Sequence, residues 1–550
     1  MTINLSPGRV PPGLSAPAGS SAVYHTGSWR TERPVYLSLL PPCSAACPAG
    51  EEIQAWLYEA QEAGPGYERA WRLLTQENPL PAIMGRVCYH PCQTACNRVM
   101  LDEMVGINAV ERFLGDLAIE KGWRFEPPSD SLLSGKRVLV IGSGPAGLSA
   151  AYHIRRLGHE VSVYEAKEQT GGMLRYGIPA YRLPRPVIDA EVSRLAAIGV
   201  QFQTNQRVED LTEAANGFDG IVLCVGAGVG AHVAIPAASA AKVLDAVNLL
   251  EETAAGSPPR LGRRVVVYGG GNTAMDAART ARRLGAEDAV VIYRRTKEQM
   301  PAHEEEYRDA ISEGIRVKWL STISEVEQGR IVIERMELDQ AGRPQPTGVF
   351  DEIAADTVVL AIGQEADLDI VAGVDGITVH NGVIALDEHM MTGRAGFFAA
   401  GDAAPGDRTA TYAVGQGKLA ARNVDAYLRG VVYTAPERQA EATFSRLNTW
   451  YYADAPLQNR PELEAVRRTS GFEEVVRGLS EESALFEARR CMSCGNCFEC
   501  DNCYGLCPDD VIVKLGYGQK YSIDLNYCKG CGICAAECPC GCIEMVPEER

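Results

Sequence analysis

Between Cys96 and Cys491 the chain has no cysteine except Cys224, although it carries 18 in all. Nor does it contain a run of 18 or more apolar residues, so no membrane insertion is expected. The opening stretch, MTINLSPGRVPPGLSAPAGSS, lacks the apolar core of a secretory signal. Basic residues are outnumbered by acidic ones: the net charge is -18, which argues against nucleic acid, whose binding requires a basic face. No C-x-x-C accompanies the glycine-rich stretches, which argues against a dithiol that takes electrons there. No set of side chains reads as a site for an organic substrate, and no catalytic acid or base stands out. A cytoplasmic protein is expected. In such a chain, thiols crowded at the two ends favour metal over disulfides.

What is present starts with length. At 550 residues, three or four domains are expected. With 46% hydrophobic and 23% charged residues, ordinary globular cores are expected. Residues 136–172 then organise the rest. An apolar run, Val138 to Ile141, reads as a buried strand. Gly142, Gly144 and Gly147 follow as G-x-G-x-x-G, with Pro145 and Ala146 opening a helix. A second strand ends at Glu165, where a carboxylate would bind ribose hydroxyls. The first glycine allows the tight turn, the second lets the backbone approach a pyrophosphate, and the third lets helix pack on strand. The order strand, turn, helix, strand, acid marks a dinucleotide site.

The plan repeats at 264–295. Gly269, Gly270 and Gly271 precede Asn272 and Thr273, and Ala274 takes the third slot. The next strand ends at Arg294 and Arg295 rather than at an acid. Arginines there accommodate a 2′-phosphate, so NADP is favoured, with NAD possible; two arginines on a solvated strand end are the bland reading.

The C-terminal cysteines carry the most specific pattern. Cys497, Cys500, Cys503 and Cys507 form C-x2-C-x2-C-x3-C-P, and Cys528, Cys531, Cys534 and Cys538 repeat it. In two-cluster ferredoxins the fourth cysteine serves the other cluster. One [4Fe–4S] cluster would use Cys497, Cys500, Cys503 and Cys538; the other, Cys528, Cys531, Cys534 and Cys507. Zinc is the competing metal for C-x2-C pairs. Cys540 and Cys542 are surplus, and Cys224 reads as core packing. At the other end stand Cys43, Cys47, Cys88, Cys92 and Cys96, the last three spaced four apart on one helix-like face.

Several stretches resemble the glutamate synthase small subunit family, and the N-terminal part resembles dihydropyrimidine dehydrogenase. They are GGMLRYGIPAYRLP at 171–184, MPAHEEE at 300–306, DTVVLAIGQEADL at 356–368 and GFFAAGD at 396–402, together with the N-terminal cysteines. The resemblance implies FAD at the first glycine turn, held also by Gly172, Met173, Arg182, Val208, Gly401 and Asp402. It places Ala361 and Gly363 near the nicotinamide nucleotide. It implies a cluster on Cys47, Cys88, Cys92 and a non-cysteine ligand at Glu111, which could equally be a solvated helix carboxylate. Family members have a C-x2-C pair ahead of the position of Cys43, which this chain lacks. Cys491 and Cys494, in an Arg-Cys-x-x-Cys-Gly stretch, resemble that pair. They would complete a cluster with Cys43 and Cys96, or else be spare thiols.

The expected fold is α/β. It has two Rossmann-like dinucleotide-binding domains, the NAD(P) domain inserted in the FAD domain. A helical iron–sulfur domain precedes them and an α+β ferredoxin-like domain follows. The expected division is an extended segment, 1–42, disordered by default; the helical domain, 43–130; FAD domain, 131–238 and 363–430; NAD(P) domain, 239–362; a linker with short helices, 431–488; and the ferredoxin-like domain, 489–550. Trp29, Tyr36, Trp450, Tyr451 and Tyr452 are candidate docking anchors. The expected cofactors are FAD, NADP and three or four [4Fe–4S] clusters. A flavin must stand between a hydride carrier and one-electron clusters. The chain thus reads as an NAD(P)H-linked electron-transfer subunit. Its expected partner is a catalytic subunit of glutamate synthase large-subunit, 2-oxoacid or aldehyde oxidoreductase, or sulfite reductase type. The alternatives are a self-contained NADPH:ferredoxin oxidoreductase, serving a soluble ferredoxin, and a non-catalytic conduit.

Overall fold

The computed structural model describes residues 23–231, 235–236 and 242–548. Most of the expected segment 1–42 lies outside them. Two five-stranded parallel sheets form the body. In the first, strands Phe397–Ala399, Gly220–Leu223, Arg137–Ile141, Glu160–Tyr164 and Val200–Gln203 lie in that order. Both faces are covered, so the strands read as continuous apolar runs such as Val138 to Ile141. Helices Pro145–Arg156 and Ala410–Arg429 pack together on one face. A Cβ on Gly417 would lie 2.2 Å from the Ala146 oxygen, so these two helices meet backbone to backbone. The long helix begins with Thr409 capping the Tyr412 N–H and stops at Gly430, whose φ of 68° ends it.

The second sheet runs Arg316–Lys318, Asp288–Ile292, Arg264–Tyr268, Thr357–Leu360 and Val243–Asp245. Helix Asn272–Arg283 lays Ala274, Ala277, Ala278 and Ala281 against it. A three-stranded antiparallel sheet of Ser321–Glu327, Arg330–Leu338 and Pro344–Ala354 is inserted before Thr357–Leu360. Its alternating burial, as in Arg330–Leu338, is that of a sheet with one wet face. Val229–Gly230 pairs with Gln364–Glu365 where the chain enters and leaves this second unit.

The N-terminal cysteine region is helical: Ile53–Ala60, Pro65–Leu74, Pro81–Val87, Pro91–Thr94 and Ile107–Lys121. The expectation that Cys88, Cys92 and Cys96 share one helix face is corrected. Cys88 ends one helix, His90 takes a left-handed turn at φ 40°, and Pro91 opens the next. The expectation of disorder up to 42 is also corrected for the described part. Glu32–Tyr36 is a strand, antiparallel to Ile543–Pro547, so the two ends of the chain are stitched together. Tyr36 and Tyr452 are partly buried, whereas Trp29 and Trp450 remain 69% and 87% exposed, Trp29 with Lys529 over its ring at 5.8 Å.

Candidate flavin, nicotinamide and iron–sulfur sites

Each glycine of the first turn has a separate steric reason. Gly142 has φ 101°, and a Cβ there would lie 2.3 Å from the Cys224 oxygen. A Cβ on Gly147 would strike the Gly142 oxygen at 1.9 Å. One on Gly144 would meet nothing within 4 Å, so this residue faces open space. Pro145 occupies the first helical turn, where its missing N–H costs nothing. Gly144, the N-cap, offers no side-chain cap, so the first N–H groups of the helix point outward unclaimed. Glu165 is buried at the end of the second strand and accepts from the Ser143 N–H at 3.0 Å and the Lys167 N–H at 2.9 Å.

The loop at Gly172 closes over this turn. A Cβ on Gly172 would be 2.8 Å from the Gly144 Cα, and Met173 opens a short helix behind it. Gly401 donates to the Gln416 side chain at 2.7 Å, and its own Cβ would lie 2.9 Å from that of Ala146. Asp402 follows in the same turn, its carboxyl pushed up by burial while Arg408 pulls it back. Val208 packs at the edge of the core that holds Ile141. Thus the first and last parts of the expected flavin set converge on one turn.

Arg182 ties the first unit to the second. It donates to Asp276 at 2.7 Å and pairs with Glu306, both on the second unit. Burial raises both carboxyls, Glu306 to about 7, and Arg182 lowers each. Tyr181 beside it is fully buried under Arg279 and Arg283.

The second turn repeats the sterics of the first. Gly269 would place a Cβ 2.1 Å from the Ala361 oxygen, and Gly271, like Gly144, faces open space. Gly270 is held against the Tyr293 ring, and Ala274 is fully buried in the third slot. Asn272 accepts from the His303 N–H at 2.8 Å, and Thr273 accepts from Gln364, next to Gly363, at 3.3 Å. Arg294 and Arg295 lie in the turn just past the second strand. Arg294 is exposed, and the Arg295 Nε is buried without a partner among the described residues.

Cys47, Cys88 and Cys92 draw together beside two buried carboxylates, Glu111 and Glu51. Burial raises all three thiols, and the carboxylates raise them further. Glu111 is not a solvated helix residue: it is 5% exposed and accepts from Asn78 at 2.9 Å. Asn78 also donates to Glu51 at 2.8 Å. Glu51 carries no pattern in the sequence that would single it out. Thr411, in the first turn of the Ala410–Arg429 helix, donates to the Met84 sulfur at 3.6 Å, and Cys47 and Cys88 pack on the core that holds Ala413 and Val414 of that helix.

Cys43, Cys96, Cys491 and Cys494 line a different cavity. At the far end Cys507, Cys528, Cys531 and Cys534 line another, and Cys497, Cys500 and Cys503 neighbour Cys538. Cys540 and Cys542 sit closer than expected of spare residues, each with its sulfur 3.7 Å from that of Cys538.

Residues 136–417 match the pyridine nucleotide-disulphide oxidoreductase family. The chain belongs to that family. Residues 36–123 of this family member also match dihydropyrimidine dehydrogenase domain II, described as a 4Fe-4S cluster domain. Subunit beta of the NADP(+)-dependent formate dehydrogenase of Moorella thermoacetica is 34% identical over 499 residues, 82% of this chain and 70% of the relative. Subunit beta of the NADPH-Fe(3+) oxidoreductase of Geobacter sulfurreducens is 29% identical over 509 residues, 82% of this chain and 75% of the relative. Subunit PreT of the NAD-dependent dihydropyrimidine dehydrogenase of Escherichia coli is 31% identical over 397 residues, 71% of this chain and 91% of the relative. The chain is therefore an NAD(P)H-dependent oxidoreductase of the iron–sulfur flavoprotein type. No described helix is long and apolar enough to cross a membrane.

Proposed function

We propose that this chain is the NADPH-linked electron-transfer subunit of a larger cytoplasmic oxidoreductase, carrying electrons to or from a catalytic partner subunit. When bound, FAD exchanges a two-electron hydride for the single electrons that [4Fe–4S] clusters carry. The residues bind and position. Gly142, Gly144 and Gly147 admit the FAD pyrophosphate, and the free N–H groups after Gly144 meet its charge. Gly269, Gly271 and Ala274 do the same for NADPH, with Arg294 and Arg295 placed for the 2′-phosphate. Cys47, Cys88, Cys92 and Glu111 hold one cluster. Cys497, Cys500, Cys503 and Cys538 hold a second, and Cys528, Cys531, Cys534 and Cys507 a third.

The observation that carries this reading is the packing of Cys47 and Cys88 on the Ala410–Arg429 helix, where a Cβ on Gly415 would lie 2.0 Å from the Pro48 oxygen. It sets a cluster ligand against the helix that packs on the first glycine turn, so one-electron transfer spans a short distance. The partner is inferred from the relatives named as beta subunits. Anaerobic addition of NADPH to the purified protein tests the input: flavin absorbance at equilibrium is expected to bleach, and an unbleached flavin refutes the reading. Purification from the native source tests the output, with a catalytic oxidoreductase chain expected to accompany this one.

A further inference from the structure

We infer that Cys43, Cys96, Cys491 and Cys494 hold a [4Fe–4S] cluster of their own, ligated from both ends of the chain. The four thiols line one cavity although nearly 400 residues separate the pairs. None of them is in a disulfide. Leu57, Val105 and Ile107 line the cavity with them, and Gln54, Asn97 and Arg98 supply its polar wall.

The backbone that delivers the second pair is fixed independently of any metal. Helix Glu481–Arg489 docks on the N-terminal helices, with Glu487 accepting from the Gly106 N–H at 2.7 Å. Arg490 then donates to the Met104 carbonyl at 2.7 Å, and Arg98 to the Arg490 carbonyl at 2.7 Å. Cys491 follows at once. The Ser493 N–H points to the Cys491 sulfur at 3.5 Å, and Gln54 holds the Ser493 hydroxyl at 3.2 Å. N–H groups aimed at ligand sulfurs are a feature of cluster sites.

Spacing separates a cluster from zinc. Four thiolates about 2.3 Å from one zinc ion stand about 3.8 Å apart. No three sulfurs of this set lie within 4.8 Å of one another; among the described residues only Cys538, Cys540 and Cys542 do. A cube with an iron at each of four corners holds its thiolates farther apart, as this cavity does. Cys494 is three residues from Cys497, and the partly buried Tyr452 donates to the Met492 carbonyl at 2.9 Å beside them. The cluster would therefore join the flavin-bearing body to the ferredoxin-like end. That role rests on the proposed function; the ligand set does not.

The test is iron, acid-labile sulfide and zinc per FAD in the anaerobically purified full chain. Cys491→Ser/Cys494→Ser is expected to lose four irons while NADPH still bleaches the flavin. Cys43→Ser/Cys96→Ser is expected to lose the same four, and the quadruple variant no more than four. Should the double variants fail to fold, single Cys494→Ser keeps three thiolates and is expected to show a three-iron EPR signal absent from wild type. Unchanged iron, loss of zinc instead of iron, or eight irons lost in the quadruple variant would overturn the assignment. Loss of four irons in a protein whose flavin NADPH cannot bleach would uphold the site and reject the proposed function.

Discussion

The Tyr89 ring stacks on the His303 imidazole with centroids 4.4 Å apart and planes 15° from parallel. The loop that carries Cys88 and Cys92 thereby rests on the loop that donates to Asn272 in the second glycine turn. His90 Nε2 lies 3.3 Å from a Glu305 carboxylate oxygen, and its hydrogen bond holds the Glu305 carboxyl down to about 2. Iron–sulfur and nicotinamide regions are thus in direct contact. A ring pair of this kind is worth about 1 kcal/mol. Tyr89→Ala is expected to slow NADPH reduction of the flavin about fivefold in stopped flow, with Tyr89→Phe close to wild type. Equal rates in all three would show that the stack positions nothing.

The two open-space glycines allow the dinucleotide sites to be blocked one at a time. Because a Cβ on Gly144 or Gly271 meets nothing within 4 Å, a side chain can leave the backbone there without a clash and is expected to enter the ligand's place. Gly144→Trp is expected to purify with iron but without flavin absorbance. Gly271→Trp is expected to keep its flavin and lose bleaching by NADPH while dithionite still reduces it. A fully flavinated Gly144→Trp protein would contradict the assignment of the first turn.

Why those turns were legible and other features were not follows from sequence distance. Strand, glycines, helix and second strand lie within one short segment, and local sterics at Gly142 and Gly147 fix them. The ferredoxin-like cysteines are legible for the same reason. Glu32–Tyr36 gains its partner only from Ile543–Pro547, so nothing local marks it as a strand. Glu111 gives no local sign of burial either; it is buried because Asn78, on another segment, reaches it. Cys88 and Cys96 are eight apart and read as one face, until His90 and Pro91 turn the chain and send Cys96 to a different cavity. No local pattern marks the partners of Arg182, whose guanidinium spans to Asp276 and Glu306. Trp450, a candidate docking anchor, remains in solvent.

Burial at the seam between the first sheet's helices and the N-terminal helices gives a pH dependence. Glu191 is fully buried, accepts from the Ala82 N–H at 2.9 Å and pairs with Arg194 at 2.8 Å. Burial pushes its carboxyl up to about 7, with Arg194 opposing. A carboxyl raised in the fold favours the protonated form there. Its contribution to stability is full below the ordinary value of 4.5 and is lost as pH rises to about 7. The loss amounts to about 3 kcal/mol. Thermal unfolding of wild type is expected to shift down between pH 5 and 7, and Glu191→Gln to flatten that slope. Parallel profiles for the two proteins would show that Glu191 ionises without cost.

Cofactor choice rests on two guanidinium groups. Neither Arg294 nor Arg295 has a carboxylate partner among the described residues, and the Arg295 Nε has no hydrogen-bond partner at all. An unpaired, partly buried charge costs free energy unless a ligand supplies the counter-charge. A 2′-phosphate supplies it, and a 2′-hydroxyl does not. Hydrogen bonds to charged groups are worth about 1.5–3 kcal/mol, which is about tenfold or more in binding for each arginine engaged. Wild type is expected to favour NADPH over NADH in kcat/KM by at least about tenfold. Arg294→Ala/Arg295→Ala is expected to lower kcat/KM for NADPH toward that for NADH while leaving the NADH value nearly unchanged. The loss should fall mainly on KM, because the 2′-phosphate is remote from the hydride and its contacts are equal in ground and transition states. Added salt should shrink the wild-type preference by screening the exposed Arg294 more than the partly buried Arg295. A double variant with an unaltered ratio, or a wild type that prefers NADH, would assign the two arginines to the solvated end of a strand.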